Sequence, residues 1–411
     1  MTDEVGITII GAGVIGCAVA YEISRTYNGD IAVVEKNPKV AGENQSSRNS
    51  GVVHSGIYYP LHISPWKAQL CVDGNRLLYD FCSKYNLPCK NTGKLVVATE
   101  DLELEYLDDA AKIAEENGVE GIKFLSGGEA KKYEPNVRAI SALYVPSSGI
   151  IEPTGFVEKL SRLAEGNGVI FLTGNKVEGI IQKRGLFNLT INSGKTREDF
   201  NTAICINCAG LYSDIVAKMV NPESLYEMDP VKGDSAKFYC SKRENISING
   251  HNIYPVPFGY YPDGERARVP FKEFKRLSAE FKVARSVGVH LSPTFDPDYV
   301  NKSILNSGGI GSTVTLGPAY SRPESREDYK NARDTEYFYN MVKPFFPNIE
   351  PGDISPHQTG IRARLKNCND FVIENDPLHN NFINLIGIDS PGLTSSLAIA
   401  KYVANMVKEL L

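Results

Sequence analysis

The sequence lacks any uninterrupted apolar run near the length of about 20 residues that a membrane-spanning helix needs. Its 8 cysteines are scattered, and the CxxC pattern of residues 205–208 lies inside an apolar run without the second pair that a zinc site requires. We therefore expect reduced cysteines and no bound metal. The 44 basic and 49 acidic residues leave no excess of positive charge, so nucleic acid is not an expected partner. The chain starts almost directly with a strand-like run, which leaves no room for a targeting segment, and we expect a cytoplasmic protein.

The first residues have the pattern of a complete β-α-β unit. An apolar strand at 5–10 runs into Gly11-Ala12-Gly13-Val14-Ile15-Gly16, and a helical stretch leads to a second strand that ends on Glu35. In this motif the first glycine permits a tight turn, the second admits a pyrophosphate and the third lets helix and strand pack closely. The acid lies about 20 positions past the last glycine, where it can accept hydrogen bonds from ribose hydroxyls. The pattern predicts a protein that binds an adenine dinucleotide.

Later segments of the chain are expected to return to the sheet of this β-α-β unit. A buried strand at 202–208 ends on the small residues Ala209 and Gly210, and the last helix opens at residues 391–395 with N–H groups available to an anionic ligand. The glycine motif occurs once, so two dinucleotides are not expected. Interleaving of the sheet with other segments favours a two-domain FAD enzyme, and an NAD dehydrogenase is the alternative.

A polar stretch at 43–51 is a candidate for a second anion-binding loop, although a solvated loop fits its composition equally well. The loop after it contains His54, Tyr58 and Tyr59 among glycines, which suggests backbone packed against a flat aromatic ligand.

Farther on, residues 270–285 have apolar side chains, among them Phe281, at helical spacing with basic residues between them. Such a helix could contact a membrane or a partner. The simpler alternative is a helix packed on its own domain.

Several blocks of sequence resemble the L-2-hydroxyglutarate dehydrogenase/oxidase family of D-amino-acid-oxidase-like flavoproteins. They lie at residues 47–59, 93–98, 206–214, 253–257, 288–293, 360–363 and 370–374. The resemblance implies an α/β and α+β fold in which a Rossmann-like FAD-binding domain (1–88, 147–222 and 355–411) is interleaved with an antiparallel-sheet substrate domain (89–146 and 223–354). Two departures fall in the substrate domain: Lys232 stands where we associate arginine with the family, and residues 258–287 look like an insertion.

The resemblance implies oxidation of an L-2-hydroxy acid, L-2-hydroxyglutarate foremost, with electrons passed to quinone or oxygen. His54 is the expected base, because imidazole titrates near neutral pH, and packing against the flavin is its alternative role. Arg362 is expected to bind the substrate carboxylate through its planar fork. Lys232 or Arg364 is the candidate second cation, and Tyr59 and Tyr254 are candidate hydroxyl donors. The expected cofactor-binding residues form a longer set: Gly11, Gly13, Val14, Ile15, Gly16, Glu35, Lys36, Ser46, Ser47, Arg48, Asn49, Ser50, Gly51, Val52, His54, Val177, Ala209, Gly210, Gly360, Arg362, Pro391, Gly392, Leu393, Thr394 and Ser395.

Three other functions stay open on the sequence. Glycerol-3-phosphate dehydrogenase and amino-acid oxidase share this fold, and a non-catalytic flavin-binding module would have the same cofactor motifs. The basic stretch 270–285 also leaves a peripheral contact with the inner face of the cell membrane as an expectation to test.

Overall fold

A computed structural model describes residues 4–280, 282–296 and 309–411. The helices are α1 (Val14–Ser24), α2 (Pro65–Tyr85), α3 (Leu104–Glu116), α4 (Gly127–Tyr133), α5 (Pro153–Gly166), α6 (Ser213–Val220), α7 (Phe271–Ala279), α8 (Thr335–Val342) and α9 (Gly392–Leu410). The strands are β1 (Glu4–Ile10), β2 (Ile31–Glu35), β3 (Val52–Val53), β4 (Cys89–Lys90), β5 (Lys94–Ala98), β6 (Lys123–Ser126), β7 (Ser141–Val145), β8 (Gly149–Ile151), β9 (Ile170–Thr173), β10 (Lys176–Lys183), β11 (Leu186–Asn192), β12 (Arg197–Asn207), β13 (Val231–Tyr239), β14 (Asn252–Pro255), β15 (Phe258–Tyr260), β16 (Arg266–Ala267), β17 (Ala284–Ser286), β18 (His290–Phe295), β19 (Ile310–Ser321), β20 (Ser355–Arg362), β21 (Val372–Asn375) and β22 (Phe382–Ile386).

One compact unit consists of Met1–Arg48, Pro153–Pro230 and Arg362–Leu411. Its sheet has the order β10-β11-β12-β1-β2-β9, and β22 adds to β12 and carries β21. The core of this sheet is parallel and has the order β22-β12-β1-β2-β9. The nearly continuous apolar runs of β1 and β2 suit strands that are covered on both faces. Helix α1 packs against α5 and α9, so the last helix of the chain is placed beside the first.

The second compact unit consists of Asn49–Glu152 and Val231–Ile361. Its large sheet has the order β20-β13-β19-β18-β14-β5-β7-β6 and is antiparallel except where β14 runs parallel to β5. Each face of this sheet is covered by its own apolar cluster, one including Leu95 and Phe238 and the other including Val96 and Tyr106. A short sheet β3-β8-β4 joins the start of the unit to residues near 150.

The limits of these units differ from the predicted domain limits. Residues 49–88 and 147–152 were predicted to lie with the cofactor domain, but they belong to the second unit because β8 pairs with both β3 and β4. Residues 223–230 belong to the first unit, where Met228 pairs with Leu365. Residues 355–361 belong to the second, because β20 pairs with β13. Such long-range pairings are invisible in the local sequence pattern.

The segment 258–287 forms the sheet β16-β15-β17 and helix α7. The predicted helix over 270–285 is too long: α7 ends at Ala279, the Lys282 N–H donates to the Leu277 carbonyl, and the chain turns into β17. Phe281 lies outside the described residues. Phe274 and Leu277 are buried within the unit, and the Phe274 ring lies 5.4 Å from that of Tyr106. The apolar side of α7 is thus packed on its own unit. Among the described residues, the helices are all too short or too polar to cross a membrane.

Candidate cofactor and substrate sites

The glycine-rich turn between β1 and α1 leaves no space for a side chain at Gly11 or Gly16. Gly11 has a φ of +103°, and a Cβ there would lie 2.4 Å from the Cys208 carbonyl oxygen. A Cβ on Gly16 would lie 1.8 Å from the Gly11 carbonyl oxygen. These distances are far below van der Waals contact, so the motif is glycine because the backbone itself fills the space. Gly13 is the residue that precedes the first turn of α1.

Glu35 ends β2 with its carboxylate turned toward the glycine turn. Its Oε2 accepts the Ala12 N–H at 2.8 Å and its Oε1 accepts the Asn37 N–H at 2.8 Å. Because each carboxylate oxygen has a second lone pair, Glu35 can hold the turn and still accept a ribose hydroxyl. Lys36 points elsewhere, with its Nζ 4.1 Å from the centre of the Tyr212 ring.

The second polar stretch meets the start of α1. The Val14 N–H donates to Ser46 Oγ at 2.8 Å, and the Gly42 N–H donates to Ser47 Oγ at 2.8 Å. The Ser46 hydroxyl is therefore held at the positive end of the helix, where a phosphate would lie. Arg48 closes this segment of the first unit, whereas Asn49, Ser50, Gly51, Val52 and His54 belong to the second.

Two other parts of the first unit carry predicted cofactor residues. The Cys208 N–H donates to the Ile10 carbonyl at 2.9 Å, which places Ala209 and Gly210 beside the end of β1. At the start of α9, which Pro391 precedes, Thr394 and Ser395 are fully buried. Among the described residues, Ser395 Oγ has no hydrogen-bond partner. Val177 lies in an apolar cluster with Phe187 and Leu189. The tight glycine turn, the acid on β2 and the orphaned hydroxyl on α9 fit FAD.

His54 lies between β3 and α2 in the second unit. Its backbone carbonyl accepts Asn75 Nδ2 at 2.8 Å, and the same amide donates to the Ser147 carbonyl at 2.9 Å. Asn117 holds the Tyr59 carbonyl in a similar way, at 2.9 Å. The loop that carries His54 and Tyr59 is thus fixed through its backbone, which leaves both side chains to other contacts.

The candidate cations have different surroundings. Lys232 Nζ donates to Asp328 Oδ2 at 2.7 Å, with both side chains almost fully buried, and Lys232 holds the pKa of Asp328 below its ordinary value. Arg364 pairs with Asp229 in the first unit. Each of the two candidate cations thus has an acidic partner within its own unit. Gly360 and Arg362 lie on β20, where Thr359 Oγ1 donates to the buried Asp234 at 2.8 Å.

Lys94 lies in the block 93–98 that resembles the family, but the sequence pattern assigns it no role. Its side chain is fully buried in the second unit, and its Nζ lies 4.0 Å from the centre of the Tyr254 ring. Burial lowers its pKa to about 7. A lysine that opens a run of four apolar residues was the available signal.

Comparison with known proteins gives a consistent picture. The model of the DAO family, described as FAD-dependent oxidoreductase, matches residues 6–406. A mitochondrial L-2-hydroxyglutarate dehydrogenase of Arabidopsis thaliana is 30% identical over 98% of this chain and 83% of its own length. The L-2-hydroxyglutarate dehydrogenase of Indibacter alkaliphilus is 30% identical over 97% of this chain and 98% of its own length.

Among solved structures, the L-α-glycerophosphate oxidase of Mycoplasma pneumoniae with FAD bound aligns with a TM-score of 0.80 at 24% identity, covering 98% of this chain and 95% of its own. This likeness confirms the predicted fold class. Since the family match spans nearly the whole chain and the described residues fit the cofactor, the chain belongs to the DAO family of FAD-dependent oxidoreductases, and FAD is its cofactor.

Proposed function

We propose that this enzyme oxidises L-2-hydroxyglutarate to 2-oxoglutarate. The observation that carries the proposal is the near full-length similarity to two proteins named L-2-hydroxyglutarate dehydrogenase, which align over 98% and 97% of this chain. The sequence blocks that resemble the same family lie in both compact units. Support therefore comes from the cofactor residues and from the candidate substrate residues alike.

Bound FAD supplies a two-electron acceptor for the hydride that leaves the substrate Cα. It would be held by the glycine turn, Glu35 and Ser46, and by the start of α9. We propose His54 as the base that takes the proton of the substrate hydroxyl at its imidazole nitrogen. Asn75 positions this residue by holding its carbonyl at 2.8 Å. Arg362 is proposed to bind the carboxylate next to the oxidised carbon, because its fork can donate two parallel hydrogen bonds.

The proposed electron acceptor is a quinone or oxygen. A membrane contact through 270–285 would have to use exposed basic side chains such as Lys272 and Lys275, because Phe274 and Leu277 on α7 are buried. Arg276 is less suited to such a contact, since it is paired with Glu273 and Glu280. Steady-state turnover of the purified enzyme with oxygen alone, and with a short-chain quinone under argon, identifies the acceptor.

The test of the substrate is anaerobic mixing of the holoenzyme with single candidate compounds while the flavin absorbance is followed. We expect L-2-hydroxyglutarate to bleach the flavin and to yield 2-oxoglutarate in equal amount, and its D-enantiomer to have no effect. Bleaching by glycerol 3-phosphate alone would contradict the proposal in favour of that alternative. Bleaching with release of ammonia would favour an amino-acid oxidase, and no bleaching by any compound would favour a non-catalytic module.

A further inference from the structure

One face of the large sheet in the second unit, the face that carries Val96, has a buried polar patch next to its apolar cluster. Side chains alternate between the faces of a strand, and the registers Asn252↔Lys94, Tyr254↔Val96 and Ile253↔Leu291 fix which residues share a face. Leu95, Ile253 and Leu291 point into one apolar cluster. The opposite face carries a set of five neighbouring residues that are each at most 4% exposed, and we call this set the polar sheet face: Lys94, Asn252, Tyr254, His290 and Ser292.

Aromatic rings surround the Lys94 amine on this face. Its Nζ lies 4.0 Å from the centre of the Tyr254 ring and 5.3 Å from that of Tyr58. The two tyrosine rings are parallel to within 9°, and Tyr254 stacks on His290 with centroids 3.8 Å apart. Tyr58 is the partly exposed residue of this group.

Several polar atoms here lack a hydrogen-bond partner among the described residues. Within the described part of the chain, no hydrogen-bond partner is present for Lys94 Nζ, Tyr58 Oη, Ser292 Oγ or Asn252 Oδ1, although each atom is buried. Buried polar groups in proteins are almost always hydrogen-bonded to protein, water or ligand. Three of these four atoms are donors, so the missing group is one with several acceptor lone pairs.

The electrostatic surroundings point to an anion. Burial lowers the pKa of Lys94 to about 7, and the nearby Cys71 acts in the opposite direction. Burial also raises the pKa of the Cys71 thiol and of the Tyr58 hydroxyl, so both stay neutral at physiological pH. Of the ion pairs among the described residues, none involves Lys94. An ammonium in such a place is costly unless a ligand provides the opposite charge.

We propose that the polar sheet face binds the distal carboxylate of a dicarboxylic 2-hydroxy acid, with Lys94 as its cation and Tyr58 and Ser292 as hydroxyl donors. This inference rests on the proposed function and extends it to a residue that selects the substrate. It also replaces the expectation of Lys232 or Arg364 as the second cation, because both of those side chains are already paired with carboxylates.

The test compares two substrates in wild-type holoenzyme and in Lys94→Met. L-2-Hydroxyglutarate carries the distal carboxylate, and L-2-hydroxypentanoate has a methyl group in its place. Loss of a hydrogen bond to a charged group weakens binding by roughly 10- to 150-fold. Lys94→Met should therefore lower the ratio of kcat/KM for L-2-hydroxyglutarate to that for L-2-hydroxypentanoate by about that factor. Lys94→Arg should keep part of the preference. The matched control is Lys123→Met, an exposed lysine on β6 of the same sheet, which should leave the ratio unchanged.

The dependence on pH separates this role from a structural one. An ionisation that affects the oxidation of both acids equally cancels in the ratio of their kcat/KM values. In wild type this ratio should therefore fall as the pH rises through about 7, because the Lys94 amine then loses its proton. In Lys94→Met the ratio should be low and independent of pH. If Lys94 only supported the fold, Lys94→Met should lower kcat/KM for both acids by the same factor.

Either of two results would overturn the subsite and leave water as the occupant. One is an unchanged ratio in Lys94→Met with normal flavin content. The other is a wild-type ratio that does not vary between about pH 6 and about 9, a range that spans the lowered pKa of about 7. If Lys94→Met fails to bind flavin, the wild-type pH series and Ser292→Ala, which should lower the ratio by a smaller factor, decide the matter. If neither acid bleaches the wild-type flavin, the proposed function fails and this subsite fails with it. If both acids do and only the ratio is unaffected, the subsite alone is wrong.

Discussion

The buried ion pair between Lys232 and Asp328 allows a sharp test of what Lys232 does. Its atoms are 2.7 Å apart, and the two side chains are 6% and 8% exposed. Asp328 also accepts the N–H groups of Glu324 at 3.1 Å and Lys330 at 3.3 Å. The pair therefore joins β13 to the loop that follows β19. We predict that Lys232→Met lowers the stability of the second unit and does not remove a substrate contact.

The expected size follows from the burial of both partners. Removing one partner of a buried pair leaves an uncompensated charge and costs about 3 to 5 kcal/mol, or roughly 6 to 20 °C in the melting temperature of a unit of this size. Asp328→Asn should cost a similar amount. The double variant should cost less than the sum of the two single ones, because neither charge is then left without its partner.

The assay is thermal unfolding of the holoenzyme, together with steady-state kinetics on L-2-hydroxyglutarate. The control is Lys282→Met, which breaks a pair to Glu280 at 2.8 Å whose side chains are 60% and 39% exposed. An exposed pair of this kind is worth at most about 1 kcal/mol. The reasoning is refuted if Lys232→Met melts like wild type while KM for the substrate rises tenfold or more, since that result would identify Lys232 as a substrate cation.

The pH dependence of this pair has a defined sign. Lys232 and backbone N–H groups hold the pKa of Asp328 below its ordinary value in the folded protein. The stabilisation is therefore fully present above the pKa of an unfolded aspartate, about 3.9, and is lost as the pH falls toward the folded-state value. The difference in melting temperature between wild type and Asp328→Asn should accordingly shrink in acid.

Two other predictions concern the cofactor turn and the base. Gly16→Ala would place a Cβ 1.8 Å from the Gly11 carbonyl oxygen, so the purified variant should contain little bound flavin, as measured by its visible absorbance. The control is Gly166→Ala at the end of α5, where the new Cβ would have no described atom within 4 Å, and it should retain its flavin. His54→Gln should keep its flavin and lower the rate of flavin reduction by about 10²- to 10⁴-fold, the range for a lost general base. A reduction rate within about threefold of wild type, a loss far below that range, would remove His54 from the role.

The parts of the fold that depend on local chemistry were predictable from the sequence. The turn at Gly11–Gly16 needs glycines because the backbone of Cys208 and Gly11 occupies the space, and that requirement is written in consecutive residues. The strand that ends on Glu35 and the helix that opens at Gly392 follow from equally local patterns.

Features that depend on distant partners were not predictable. The acidic partner of Lys232 lies 96 residues away, and nothing near Lys232 indicates it. The burial of Lys94 follows from the pairing of β5 with β14, whose residues are more than 150 positions later in the chain. Helix α7 is shorter than its periodicity because β17 is recruited to pair with β15. In each case tertiary pairing decides what the local sequence leaves open.

The placement of α9 beside α1 has a consequence for biosynthesis. Strand β1 and helix α1 leave the ribosome well before β22 and α9, which complete their surroundings. Until α9 has been synthesised, the apolar surface of α1 that α9 covers stays open to solvent and to chaperones. A chain that stops before Gly392 would therefore expose that surface permanently, so quality control should remove truncated products even though the glycine turn within them is intact.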